Sequence, residues 1–199
     1  MEKGGVVINY HNITYPDMNN GSGLRVVLWL SGCSHNCYKC QNPQTHDANS
    51  GILFDEKAEE ELFRELSKDY ISGLTLTGGD PLHENNLDGV LNLINRFRLL
   101  MPEKTIWIYS GYTWEKLFTY ITAIERYGIF PMNNGKFDFS KWNKDMKRRA
   151  AIMQCDVFVD GRYIESQRNP SKKWAGSDNQ RVIDIQETLK QSKVILYCK

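Results

Sequence analysis

Apolar residues recur along this chain in two rhythms. Leu24–Leu30 (LRVVLWL), Gly73–Thr77 (GLTLT), Lys104–Tyr109 (KTIWIY) and Asp156–Val159 (DVFV) are short, nearly unbroken apolar runs. Runs of that kind, rich in Val, Ile, Leu and aromatics, predict strands buried on both faces. The second rhythm has the period of a helix. Asp55–Asp69 places Ala58, Leu62 and Leu66 one turn apart with acidic residues at its start, which predicts an amphipathic helix. Asn85–Leu100 carries Leu87, Val90, Leu91, Ile94 and Phe97 on one face, and Pro102 follows its end, where proline stops a helix. Thr113 reads as the N-cap of a helix over Trp114–Arg126. In the stretch Tyr127–Met153, Gly128, Pro131, Asn133, Asn134 and Gly135 mark turns, and Lys141–Ile152 reads as a helix. Arg181–Ile185 and Lys193–Tyr197 are two further expected strands.

Strands alternating with helices give βα units and a mostly parallel sheet, the α/β class. The 199 residues fall short of the roughly 250 of a closed eight-stranded barrel. The expectation is a single domain over 1–199 built as a partial, open (β/α) barrel. Functional loops of such folds sit at the carboxyl ends of the strands. Four segments follow strands here: the loop after Leu30, Gly78-Gly79-Asp80-Pro81, Ser110-Gly111 and Asp160-Gly161. They are expected at one rim. No internal repeat or low-complexity tract is visible.

Charge changes this picture little. Lys and Arg number 25 against 24 Asp and Glu, a formal net charge of +1. Such a balance argues against nucleic acid as a partner; Lys144–Arg149 is the one basic run. No apolar run approaches the roughly 18 residues that span a bilayer, so no membrane association is expected. Met1–Tyr10 lacks a basic stretch followed by an apolar one, so no signal peptide is expected. The five cysteines, an odd number in a chain of this size, do not suggest a disulfide framework. A reducing, cytoplasmic setting follows, where clustered thiols usually mean metal or redox chemistry.

Three of those thiols are clustered, as Cys33-x3-Cys37-x2-Cys40. Three thiolates can hold three irons of a 4Fe–4S cube and leave the fourth iron open, as reactive metal sites leave a position open. Two alternatives stand beside this reading. One is a zinc site completed by His35 or His46; the other is a cluster closed by Cys155 or Cys198. Gly78-Gly79-Asp80 is a turn whose glycines let backbone come close to a ligand. Ser110 offers a hydroxyl at the same rim, and Lys39 and Gln41 flank Cys40. Arg25 is expected to orient the N-terminal segment or a carboxylate. Asn179 and Arg181 are expected to touch a substrate peptide or to close the barrel. His11, His35, His46 and His83 have no relay spacing and read as structural or surface residues.

The segment Cys33-Ser-His-Asn-Cys37-Tyr-Lys-Cys40-Gln-Asn-Pro43 resembles the signature of the radical S-adenosylmethionine superfamily. Within it, the chain is similar to the activating proteins of anaerobic ribonucleoside-triphosphate reductases. The similarity runs through Tyr15-Pro16-Asp17, Asn20-Gly21, Gly23-Leu24-Arg25 and Ser31-Gly32. It resumes at Thr77–Leu82, Tyr109–Thr113, Asp156–Gly161 and Gly176–Asp184, in the family's order and over most of the chain. Lys39 stands where many members carry an aromatic residue, with Tyr38 one position earlier. Residues 119–153 are longer than the family leads one to expect, an insertion read as surface elaboration.

The resemblance implies the partial barrel of the superfamily and one 4Fe–4S cluster per chain on Cys33, Cys37 and Cys40. It implies S-adenosylmethionine at the open iron, its amino group at Gly78-Gly79-Asp80 with Asp80 at the motif's acidic position. Lys39, Cys40, Gln41 and Ser110 would line this cofactor. An oxidoreductase follows: one electron from the cluster cleaves the S–C5′ bond, and the 5′-deoxyadenosyl radical takes a glycine α-hydrogen. That glycine lies on the large subunit of the anaerobic reductase, and the electron comes from a flavodoxin- or ferredoxin-like protein. Rivals are a pyruvate formate-lyase-type activase, a small-molecule radical enzyme, and a zinc-stabilised binding module. Asn20-Gly21 and Asn179-Gln180-Arg181 favour the reductase activase.

Overall fold

The computed structural model of the chain describes residues 8–118, 132–133 and 136–198. In chain order the elements are β1 (Asn9–Asp17), β2 (Leu24–Leu30), β3 (Ile52–Leu53), α1 (Glu56–Leu66), β4 (Ile71–Gly78), α2 (Leu87–Leu100) and β5 (Thr105–Ser110). There follow α3 (114–118), β6 (Met132–Asn133), β7 (Lys136–Phe137), α4 (Phe139–Met153), β8 (Val157–Asp160), β9 (Arg181–Asp184) and α5 (Ile185–Gln191). Seven strands form one sheet in the order β3-β1-β2-β4-β5-β8-β9, and β6 pairs with β7 alone.

The four apolar runs are the four central strands, and β2, β4, β5 and β8 pair in parallel. Their register explains the unbroken hydrophobicity. Leu28, Leu76, Ile108 and Phe158 align across the sheet. All four are fully buried, in one cluster with Leu62 and Leu66 of α1, Ile94 and Phe97 of α2 and Ile152 of α4. One residue earlier, Val27, Thr75, Trp107 and Val157 align and point to the other face. There Trp107, Val157, Val159 and Val182 form a second cluster with Tyr109 and Trp174. Each fully buried large aliphatic side chain contributes about 1.5–3 kcal/mol, so neither face tolerates a polar residue without a partner.

The helices arise as their periods predict. Asp55 caps α1 by accepting from Ala58 N at 3.0 Å, and its buried Ala58, Leu62 and Leu66 face the sheet. In α4 the basic run is spent internally. Lys144 pairs with Glu84, Lys147 pairs with Asp88, and Arg148 Nε donates to Leu82 O at 3.0 Å. The charges of Lys144–Arg149 thus hold α4 to the start of α2.

Beyond the two-residue strands β3, β6 and β7, which the sequence reading did not expect, three further elements depart from it. β1 was not expected: its burial follows only Tyr10 and Ile13, its register is irregular, and it contains Pro16, so its pattern is weak. Lys193–Tyr197 is not a strand. After α5, Ser192 takes a left-handed conformation (φ 51°), and the chain returns beside β9 with a single bridge, Ile183 to Leu196. The helix expected over Trp114–Arg126 is seen over 114–118. Its remainder, and residues 119–131 and 134–135 of the expected insertion, lie outside the described residues. Among the described residues no helix is long and apolar enough to cross a membrane.

Candidate metal centre

Parallel register sets the level at which the strands end. Leu30 aligns with Gly78, and Ser110 with Asp160, so the loops that follow begin at one rim. Beyond the strands the backbone pairing continues. Gly79 N donates to Leu30 O and Asp80 N to Gly32 O, both at 2.7 Å. From the other side, Gly32 N donates to Thr45 O at 2.8 Å and Cys33 N to His46 O at 3.0 Å. The start of the cysteine loop is therefore clamped between the glycine turn and the Pro43–Thr45 helical turn. A Cβ on Gly79 would stand 2.5 Å from Gly32 O. Glycine is needed at Gly79 first for contact with the cysteine loop itself.

Cys33, Cys37 and Cys40 are free and half-buried and line one cavity of about 950 Å³. The loop bends through Asn36 (φ 46°) and Lys39 (φ 53°), and Cys40 N donates to Cys37 O at 3.1 Å. Burial pushes the Cys33 thiol up to about 11 and the Cys40 thiol up as well. A thiol in that condition binds metal by losing its proton to the ion's charge. Gly78, Gly79, Ser110, Gln41 and His46 share the cavity, and the 161–176 segment adds Arg162, Arg168, Lys172 and Lys173 to its lining. Among the described residues no Asp or Glu lines it. Two buried polar atoms of lining residues, Tyr109 OH and His46 Nε2, have no partner, as expected where a polar ligand completes them.

The residues fit an iron–sulfur cluster by the chemistry of their donors: three thiols on one short loop, partly withdrawn from water, facing open space. Among the described residues no three His, Cys, Asp or Glu side chains are gathered as a group for a single metal ion. Neither distant cysteine joins the three. Cys155 is fully buried in the helix-side core, its thiol raised by burial and its Sγ on Ala151 O at 3.2 Å. Cys198 is not among the cavity's lining residues.

The other expected site residues fall into two groups. Gly78, Gly79, Ser110, Cys40 and Gln41 border the cavity. Lys39 does not; its Nζ pairs with Glu165 at 3.1 Å. Asp80 lies just behind the wall, 1% exposed. Its Oδ1 accepts from Leu82 N at 2.8 Å. Its Oδ2 accepts from Ser110 Oγ at 2.9 Å and Gly111 N at 3.3 Å, and meets His35 Nε2 at 2.6 Å. Arg25 is fully buried and desolvation lowers it to about 10. It donates to Thr75 Oγ1, Thr105 Oγ1 and Leu74 O, and Thr75 Oγ1 donates to Asn20 O at 2.8 Å. It thus orients the segment before β2, through Thr75. Arg181 closes the β8–β9 edge by bridging Asp160 and Glu115, and Asn179 Nδ2 donates to Arg162 O at 2.8 Å.

Sequence reasoning missed Asn86. At the start of α2 it makes no side-chain cap; its amide donates instead to Ser31 O at 2.7 Å and Asp80 O at 2.9 Å. It also missed the 161–176 segment as a wall of the cavity. Neither has a local pattern to betray it.

Comparison with known proteins agrees with this geometry. The model of the 4Fe–4S single cluster domain matches residues 19–183. The anaerobic ribonucleoside-triphosphate reductase-activating protein of Enterobacteria phage T4 is 38% identical over 88% of this chain and 93% of its own. The proteins of that name from Haemophilus influenzae and Escherichia coli K12 are each 33% identical, over 87% and 88% of this chain and 96% and 97% of theirs. With three thiols on one cavity wall and likeness of this extent, the chain belongs to the family of anaerobic ribonucleoside-triphosphate reductase-activating proteins, with a 4Fe–4S single cluster domain.

Proposed function

We propose that this chain is a radical S-adenosylmethionine activase that generates a glycyl radical on the large subunit of the anaerobic ribonucleotide reductase. The observation that carries this is the cavity in which Cys33, Cys37 and Cys40 stand beside the Gly78-Gly79 turn, with no fourth cysteine among its lining residues. Three thiolates from these residues would hold a 4Fe–4S cluster with one iron free for the amino acid end of S-adenosylmethionine. When bound, the pair supplies a one-electron cleavage of the S–C5′ bond whose outcome is removal of a glycine hydrogen.

This chain's residues supply position and shelter. The Gly78–Asp80 turn offers backbone close to the cluster loop, Ser110 a hydroxyl, and the backbone of Lys39–Gln41 a wall beside Cys40. The inner cluster of Trp107, Val159 and Trp174 keeps water from the floor of the cavity, as reactive intermediates require. The partial, open barrel that this reading assigns to the seven-stranded sheet would leave a side through which a segment of the reductase enters. The chain would act as one domain in the reducing cytoplasm, without oxygen, and take its electron from a flavodoxin- or ferredoxin-like donor.

Anaerobic reconstitution with iron and sulfide tests the reading. The expected product is brown, holds about four irons per chain, forms 5′-deoxyadenosine with a reductant, and raises a glycyl radical signal on the reductase. A colourless chain holding about one zinc would overturn it. So would a cluster with a protein atom on every iron. A radical formed only on a different partner would move the chain to another branch of the superfamily.

A further inference from the structure

We propose that His35 is a positioning residue: with Asp80 it clasps the cysteine loop to the glycine turn and so sets the cluster against the bound S-adenosylmethionine. The inference rests on the function proposed above and changes the part Asp80 plays in it.

A carboxylate offers about four acceptor sites. At Asp80 four donors meet them: Leu82 N, Ser110 Oγ, Gly111 N and His35 Nε2. An ionised carboxylate only accepts, so toward it His35 Nε2 is the donor. A buried carboxylate needs such partners; Oδ2 takes three of them and Oδ1 one, and at 1% exposure, behind the cavity wall, the group turns neither oxygen toward an incoming ammonium. Three of the donors belong to the rim after β4 and β5. The fourth belongs to the cysteine loop, between Cys33 and Cys37.

The surroundings are built for that fourth donor. The Tyr112 ring meets the His35 ring edge-on at 4.8 Å, and Arg148 lies over the Tyr112 ring at 4.7 Å. A Cβ at Gly111 would stand 2.3 Å from His35 Cδ2, so glycine there makes room for the imidazole. The His35 carbonyl accepts from Arg162 Nη2 at 2.6 Å, which ties the loop to the segment after β8. Outer partners of this kind fix the geometry of a metal site. Asp80 therefore acts through His35, Ser110 and the shape of its own turn.

The test uses the full chain with His35→Ala, His35→Gln, Asp80→Asn and the double variant H35A/D80N. The first readout is the alkylation rate of Cys33, Cys37 and Cys40 in the metal-free protein. The second is S-adenosylmethionine affinity after reconstitution. The clasp predicts several-fold faster alkylation in H35A. It predicts affinity weakened about tenfold or more in both H35A and D80N, recovery in H35Q, and a double variant no worse than the weaker single. Unchanged alkylation in H35A overturns it. So does a loss of affinity confined to D80N, the mark of a direct ligand. If a variant does not reconstitute, its alkylation rate and that of Ser110→Ala decide. Wild-type protein that takes up no cluster sinks the proposed function, while the alkylation comparison still judges the clasp.

Discussion

Thiols within one chain are not equivalent, and what each one faces separates them. Cys33, Cys37 and Cys40 face a cavity, whereas Cys155 is packed at 0% exposure among Ala151, Ile152 and Phe158. Replacing Cys155 with alanine removes one buried sulfur and should cost about 1 kcal/mol of stability. It should leave iron uptake unchanged. The same change at Cys37 should abolish iron uptake with little effect on the fold, and iron analysis beside a urea titration distinguishes the two. Burial also predicts a pH effect. Folding raises the Cys33 thiol from 9.0 to about 11, so over that interval the folded metal-free chain keeps a proton that the unfolded chain has lost. The stabilisation is complete below pH 9.0 and fades as pH rises through about 11. Alkylation of Cys33 should show a midpoint near that upper value.

At the scale of elements, what matters is how strand ends meet. The pairing of β2 with β4 does not stop at Gly78 but runs on through Gly79 to Leu30 and Asp80 to Gly32. This extension sets the cysteine loop directly against the glycine turn without a long connection. Gly79→Ala puts a methyl 2.5 Å from Gly32 O, in a residue whose N and O each make a backbone hydrogen bond. The expected result is destabilisation of more than about 1 kcal/mol together with poor iron uptake. Retention of both in G79A would show that the loop yields where the geometry says it does not. On the other side of the rim, Asn86 gives up its helix cap to bind Ser31 and Asp80, and α2 starts without that bond.

Over the whole molecule, core and site are separate structures sharing one edge. The core lies between the sheet and α1, α2 and α4, and no cysteine of the cluster loop belongs to it. The chain should therefore fold without metal, unlike small zinc domains whose metal supplies their stability. The metal-free protein is expected to melt in one cooperative transition by circular dichroism, and cluster binding to raise that midpoint. A metal-free chain with no cooperative transition would refute this. The cavity is more polarised than the chain around it. Among the described residues four Lys and Arg side chains and no carboxylate line it in a protein of net charge +1, because the acids near the rim, Asp80 and Asp160, are turned into hydrogen bonds behind the wall.

Local sequence determined the four parallel strands, α1 and α2, the grouping of three thiols and the two glycines that follow β4. Each rests on near neighbours along the chain: apolar continuity, helical period, close spacing. It also carried the family likeness, through short motifs in order. Only the tertiary structure decided what Asp80, His35, Arg25 and Asn86 do, since their partners lie between 2 and 127 residues away and most belong to other elements. It decided too that Lys39 turns to Glu165 and that Lys144–Arg149 is internal wiring. A polar side chain writes no period into the sequence. Its role is fixed when folding removes water and leaves it the partners that happen to be within reach.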